Sequence, residues 1–526
     1  MPTSTDLTAD DVASSFVQVH QADVMGVLHG FDRVRLQGTL RSLYHPSVME
    51  YYLQKAGVLW KDFKAFATDL TERVRDQGFG LARSMERPVR YLPATSTSKE
   101  AVALEIAAAD RITSGLVAVL SCVEPCRTWF ARGNHQTKKL ELKLLWGKCL
   151  HLYFYWIHPQ LGWMHVRLQT WFPFLIHVCL NGREWLARQM DRAGIAYRRA
   201  DNCFPWIADL PAAQRLMDEQ LRTDWKELLG PLVGRCHPLH REITRPIERD
   251  YYWTAAATEY ATDIMFRDRR ALERIYPALV HHSVMHLGSE QVLRFMGRVH
   301  GPHEADDVKT DRRRGPDGLR VKHWLNRNSQ KLYDKGSILR SETTINEPKD
   351  FRVWRGPETN SEGKKQWRIL RRSVADLHRR AQVSRAACQR HLSALAAVHV
   401  KTCLAQATLK VCQPIRKEGR RYRALNPLAQ ADAALLTEVN KGDYLINGFR
   451  NHNIREALHG QTDDDIKRRR AMARVGRQLA LLRAHGLIRK ISRTHRYVVT
   501  RKGREIITAM LAARRANTEQ LITFAA

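Results

Sequence analysis

A chain of 526 residues is too long for one hydrophobic core, and about two to four domains are expected. Hydrophobic residues make up 44% of it, which excludes wholesale disorder. Its 86 Lys and Arg against 54 Asp and Glu leave a formal charge of +32, an excess that opposes compaction and asks for a polyanionic partner.

Residues 1–20 are polar and acidic and read as a flexible lead-in without a secretory leader. Residues 21–200 read as an α/β core, nuclease-like or nucleic-acid-binding. In "VMGVLHGFDRVRLQGTLRSL", Val34, Leu36 and Leu40 alternate with polar residues, which predicts a strand or hairpin around Asp32. A helical run follows from "SVMEYYLQK". "ERPVRYLPA" reads as a short strand and "SKEAVALEIAAADR" as a helix capped by Ser98. "GLVAVLSCVEPC" reads as a buried strand ending at Glu124 and Pro125. "CLHLYFYWI" and "GWMHVRLQTWFPFLIHVCL" form a long β-hairpin, stopped where Asn181 and Gly182 turn the chain into a helix. The apolar stretch Leu150–Leu180 alternates and is broken by His158, Pro159, His165, Arg167 and Pro173, so no membrane span is expected.

Residues 201–300 read as helical, with Glu259 and Asp263 on one helix face four residues apart. "GRVHGPHEADDVKTDRRRGPDGLR" reads as a charged loop. Within 301–365 it precedes a hairpin, "NSQKLYDKGSILRSETTIN", that completes the core. Residues 366–425 read as helical; Val374–Leu395 there resembles a helix-turn-helix motif, with Gln382 where glycine is usual, and an ordinary helical hairpin stays open.

Residues 426–526 are the most informative. "DDDIKRRRAMARVGRQLALLRAHG" sets Met472, Val475, Leu479 and Leu482 on one helical stripe, with Lys467, Arg470, Arg474 and Arg477 roughly opposite. Asp463–Asp465 suit the helix start and Gly486 the position just past its end. "LIRKI" and "HRYVVT" follow as short strands, and "TRKGREIITAMLAARRA" as a closing helix. The run Leu481–Glu505 resembles the winged-helix domain of MarR-like regulators and mobile-element proteins. That resemblance implies that Arg470, Arg474 and Arg477 enter a major groove while Arg493, His495 and Arg496 touch phosphate from the wing, with Lys467 a further nucleic-acid-binding candidate. The whole is expected to be an α+β multidomain protein: a mixed sheet with long hairpins, a helical middle and a C-terminal winged helix.

Candidate chemistry follows from what phosphodiester cleavage needs, carboxylates converging on Mg²⁺. Asp32 on a strand, Glu124 at a strand end and Asp263 on a helix resemble the RNase H-like nuclease and transposase arrangement, which implies Mg²⁺ on Asp32 and Glu124. In the hairpin, Asp334 and Glu342 are further ligand candidates, with Lys335 or Arg340 as cross-strand partners of Glu342. "YDKG…LRSE" resembles the tail motif of rolling-circle replication initiators, which implies Tyr333 as a nucleophile; the His-hydrophobe-His pair of that family is missing at His165–Arg167. Consecutive aromatics at 153–156 point both ways, so at least two face something beyond a single core: a second layer, a partner, or single-stranded nucleic acid, for which Tyr153, Trp156 and Trp171, with Arg167, are the stacking candidates.

Nine cysteines at irregular spacing read as free thiols in a reducing compartment, a bacterial-type cytoplasm with the protein on the nucleoid. Cys122 and Cys126, with Cys149 and His151, match no known zinc spacing, and zinc is not expected. Double-stranded DNA is the expected partner, with single-stranded DNA, RNA and self-association left open. The functional expectation is a mobile-element-type, Mg²⁺-dependent nuclease or strand transferase. A non-catalytic DNA-binding regulator and the protein part of a ribonucleoprotein are the alternatives.

Overall fold

Strand β1 (Val24–Thr39) is the hub of the molecule, because it pairs antiparallel with β9 (Tyr252–Phe266) along its length and with β6 (Ile176–Asn181) along its second half. The chain is seen here in a computed structural model, which describes residues 15–297, 308–315, 318–357, 365–396, 404–441, 444, 448–462, 464–491 and 494–517. On the β9 side the sheet continues through β13 (Ile338–Ile345), β12 (Asn328–Asp334), β11 (Gly318–Leu325) and β10 (Val308–Gly315). On the β6 side it continues through β5 (Gly162–Gln169), β4 (Leu140–His158), β3 (Gly115–Gly133) and β2 (Val89–Tyr91). Only β2 and β3 pair in parallel within this eleven-stranded sheet. The protein is α+β: this mixed sheet, helices on it, and small hairpins.

The sheet is lengthened by segments that carry a different signal in the sequence. The Glu259–Asp263 segment is not a helix but the inner strand β9. Thr258, Tyr260, Thr262 and Ile264 of β9 are buried on one face, while Ala261 and Asp263 are buried on the other, which erases the polar–apolar alternation of a half-exposed strand. The charged "loop" before residue 325 contains the β10–β11 hairpin, with Val308 opposite Leu325; residues 298–307 and 316–317 lie outside the described residues. Glu124 and Pro125 do not end β3, which runs on to Gly133 opposite β4. The expected hairpin over Leu150–Leu180 is three strands, β4, β5 and β6. Of the lead-in, Ser15–Val19 is helical with Phe16 buried, and residues 1–14 lie outside the described residues.

One face of the sheet is covered by helices. Leu377–Leu395 packs on β9 and β13, placing Ser384, Cys388 and His391 against Ser341 and Thr343. This helix is continuous, so the expected helix-turn-helix is not formed. Between Ala381 and Ala386 no Gly or Pro interrupts it, and its Ala387, Cys388 and Leu392 are buried. Phe63–Ser84 covers β3 and β4 on the largest core, which holds Phe154, Val166 and Val178.

Among the described residues, the first half of β1 has no strand on its β6 side. The helix Gly182–Arg192, capped by Asn181, abuts that edge so closely that a Cβ on Gly182 would sit 2.0 Å from the Phe31 carbonyl oxygen. Gly182→Ala is therefore expected to cost about 1–3 kcal/mol of unfolding free energy through enforced displacement, read as a lowered urea midpoint.

The C-terminal residues form their own core from Val411 and Leu425 to Met510. Helices Gln430–Val439, Asn451–His459 and Asp465–Ala484 precede a two-stranded hairpin, Ile488–Lys490 with Tyr497–Val499, and the helix Arg501–Arg515 closes the unit. Asp464 caps the long helix by accepting from the Ile466 and Lys467 amides, and Gly486 follows its end at φ +73°. Met472 is half exposed, so the buried stripe runs through Val475, Leu479 and Leu482 instead. No helix among the described residues is long and apolar enough to cross a membrane.

Candidate functional site

Alternation along antiparallel strands brings residues from four neighbours to one face. On β13, Arg340 and Glu342 point away from the Leu377–Leu395 helix, because Ser341 and Thr343 between them point into it. The register sets Glu342 opposite Lys331 of β12 and Ala261 of β9, and Arg340 opposite Asp263. On β1 the pairing slips between Phe31–Tyr260 and Arg33–Glu259, leaving Asp32 as the extra residue of a β-bulge. Such a bulge re-aims its side chain.

Together these strands assemble Asp32, Glu259 and Glu342 with carboxylate oxygens all within 4.8 Å of one another. The Lys331 ammonium lies 2.5 Å from Glu342 and 3.1 Å from Glu259. Behind them is a second layer. Arg340 reaches Asp32 at 2.8 Å and Asp263 at 2.6 Å, and Arg183 pairs with Asp263 at 2.8 Å. Asn202, on the turn between β7 (Tyr197–Ala200) and β8 (Cys203–Ile207), donates to Asp32 and accepts from Arg340. Four carboxylates thus meet three interior cations, and Arg33 acts on Asp32, Glu259 and Glu342 from the other side.

Burial, opposed by Lys331 and reinforced by Glu259 and Asp32, pushes the Glu342 carboxyl up to about 6. Burial pushes Glu259 the same way, but Lys331, with Arg33 and Lys322, outweighs it and holds that carboxyl below its ordinary value. Burial would lower Lys331, yet Glu342 and Glu259 keep its ammonium more basic than usual. One ammonium therefore serves two carboxylates of unlike acidity, Glu259 ionised at the rim and Glu342 protonating near pH 6.

A groove of about 380 Å³ opens beside Glu259, lined among others by Arg33, Arg35, Lys322, Trp163 and Trp324. The Lys322 ammonium sits 3.3 Å from the centre of the Trp324 ring. Burial, with Lys331 and Arg320 nearby, lowers its pKa to about 8. Cations and flat rings around carboxylates are the chemistry that holds phosphate and base.

Several sequence candidates lie elsewhere. Glu124 is not part of the cluster; on β3 it is engaged by Lys99 at 3.0 Å, Arg167 at 2.8 Å and Tyr153 at 2.7 Å. Asp334 sits opposite Leu339, three residues out of step with Glu342, and accepts from the Gly336 amide in the turn. The partner of Glu342 is Lys331, not Lys335 or Arg340; Lys335 reaches Asp201 instead. Tyr333 does border the cluster, opposite Arg340, where burial and Glu342 raise the phenol above its ordinary pKa. Asp263 serves the second layer, held below its ordinary value against burial by Arg183 and Arg340.

The aromatic platform is not formed by the residues expected. Phe154 and Trp156 lie in the large core, while Tyr153 and Tyr155 lie under the helix Lys99–Ala109 in another. Trp171 donates to the Trp129 carbonyl and packs against Phe63. Both faces of β4 are simply covered. On the C-terminal long helix Lys467, Arg470, Arg474 and Arg477 are all exposed, as is His495 at the hairpin tip; Arg496 is half-buried and Arg493 lies outside the described residues.

Compared with protein-family models, curated proteins and solved structures, the chain finds no match. The site must be read from its own geometry. Reasoning on the sequence reached Asp32 and Glu342 but missed Lys331 and Arg183, and left Glu259 on a helix. Lys331 was two residues from Tyr333 on one strand face, and the hairpin register alone sets it opposite Glu342; Glu259 comes into view only once β9 is recognised as the strand beside β13.

Proposed function

We propose that the chain is a divalent-metal-dependent nucleic-acid-processing enzyme, acting on phosphodiester bonds at Asp32, Glu259 and Glu342. The observation that carries this reading is the convergence of these three carboxylates, from three strands that are distant in sequence, beside a groove lined with cations. Their donor atoms are hard oxygens, the type Mg²⁺ takes. Bound there, Mg²⁺ would polarise a phosphoryl oxygen and stabilise charge on the attacking and leaving oxygens. Lys331 offsets charge at the phosphate, Arg33 and Arg35 hold the strand, and Trp324 offers a ring to a base. Asp263, Arg340 and Arg183 fix the position of Asp32 from behind.

The basic C-terminal helix and hairpin are proposed to grip duplex DNA, in line with the winged-helix resemblance. Three exposed arginines at 470, 474 and 477 recur along one side of the long helix. Replacing all three by Ala is expected to weaken duplex binding and flatten the slope of log K against log salt by about 2.7, at roughly 0.9 for each phosphate no longer neutralised. Titrations at several salt concentrations measure it.

The deciding experiment is Mg²⁺-dependent cleavage of end-labelled single- and double-stranded DNA and of RNA, with a chelated control. Cleavage that fails in Glu259→Gln supports the reading. Tight salt-sensitive binding without cleavage by any preparation would leave a binding protein, and co-purifying RNA of defined sequence would favour the ribonucleoprotein alternative.

A further inference from the structure

A second cluster lies in the same sheet, away from the carboxylates, where β4 parts from β5. Cys126 of β3 and Cys149 and His151 of β4 present ligand atoms all within 4.8 Å of one another, and all three are buried. The two Sγ atoms are 3.3 Å apart and unbonded. In a tetrahedral zinc site with Zn–S of about 2.3 Å, two thiolates stand roughly 3.7 Å apart, so this pair needs only a small adjustment.

The histidine supplies the second, independent observation. His151 is 1% exposed, its Nδ1 meets the Cys149 carbonyl at 3.2 Å, and its Nε2 has no hydrogen-bond partner among the described residues. A buried ring nitrogen left without a partner is costly, and coordination satisfies it while the backbone carbonyl fixes the tautomer from the other nitrogen. Cys122, the other member of the C-x3-C pair, stays outside: its thiol turns to the Val123 carbonyl.

We propose that Cys126, Cys149 and His151 form a binding site for a thiophilic d¹⁰ cation, zinc above all, with water in the fourth position. Binding converts two thiols to thiolates and releases their two protons to solvent, so the bound unit of one Zn²⁺ and two thiolates is neutral. Its place in the fold suggests what it does. Beyond Cys126 and Cys149, β3 and β4 pair only with each other for the rest of their length, a two-stranded ribbon held to the large core through Trp129 and Leu142. The ion would staple that ribbon at its root. A site with three protein ligands leaves one coordination position for an exogenous group.

The test uses the full-length protein purified without chelator. Stoichiometric zinc by elemental analysis is expected, surviving gel filtration and lost in Cys149→Ser and in His151→Gln. Replacement by Co²⁺ in the wild-type protein should add a thiolate-to-cobalt charge-transfer band, a readout independent of whether either variant folds. Competition with a chromophoric chelator should show at least a tenfold loss of zinc affinity in each variant that retains its circular dichroism. Absence of zinc and of the cobalt band overturns the proposal, as does equal zinc in wild type and variants. A mass deficit showing a Cys126–Cys149 disulfide in protein kept under reducing conditions overturns it too.

Discussion

Glu259→Gln is expected to lower Mg²⁺-dependent strand cleavage by about 10²–10³-fold, the loss typical when one preorganised electrostatic interaction at a reacting centre is removed. The substitution keeps the shape and one oxygen of the side chain but removes its charge. It costs the fold little, because the Glu259 side chain is 28% exposed at the rim and Lys331 keeps Glu342 at 2.5 Å. A second signature distinguishes this from general damage. Glu259 is among the groups that raise the Glu342 carboxyl to about 6. Without that negative neighbour, Glu342 ionises at lower pH. The acid limb of the residual cleavage profile should then move to lower pH than the wild-type limb. Glu124→Gln, in a network with Lys99 and Arg167, should leave the rate and profile unchanged. Equal cleavage by wild type and Glu259→Gln would remove the carboxylate cluster from the reaction.

What could be read in the sequence depended on how many sides of an element meet water. The C-terminal long helix is solvated along one side, so its charged and apolar positions separated except at Met472, and its Asp464 cap and Gly486 stop lay where the residue types placed them. The Ser98 and Asn181 caps were legible for the same local reason. The strand β9 was not. With Thr258, Tyr260 and Ile264 against helices and Ala261 and Asp263 buried on the other face, its residues carry no period of two, and Glu259 and Asp263 satisfy a helical spacing equally well. That single misreading hid the site. Glu259 meets Glu342 only through the β9–β13 register, and no local pattern states which strands become neighbours across a separation of some eighty residues. Asp32 was legible as a strand carboxylate; the bulge that turns it toward Glu342 was not. The run Tyr153–Trp156 raised the opposite problem. One core cannot cover both faces of a strand, which left a second layer, a partner or single-stranded nucleic acid open, and the second layer is what forms.

Arg340→Met should be the most destabilising single change at the site, about 3–5 kcal/mol, because it strands buried carboxylates rather than merely removing a favourable interaction. The guanidinium is 3% exposed and bridges Asp32 and Asp263, whose side chains are 6% and 1% exposed. Methionine matches much of its length without replacing the charge. The pH dependence carries the argument further. In the wild type Asp263 is held below its ordinary 3.8 by Arg183 and Arg340 against the opposing effect of burial. A depressed carboxyl pKa stabilises the fold above the unfolded value, and that stability is lost as pH falls through the folded value. With Arg340 gone, burial has more weight and the folded-state pKa of Asp263 rises. A carboxyl raised above its unfolded pKa favours the fold at low pH and loses that favour as pH climbs. The gap between wild type and Arg340→Met should accordingly be widest at neutral pH and narrow on acidification toward about pH 4, read from urea midpoints at matched m-values. A gap independent of pH would mean that poorer packing, not an uncompensated carboxylate, accounts for the cost. An Arg340→Met protein as stable as the wild type would mean that Arg183 alone neutralises the second layer.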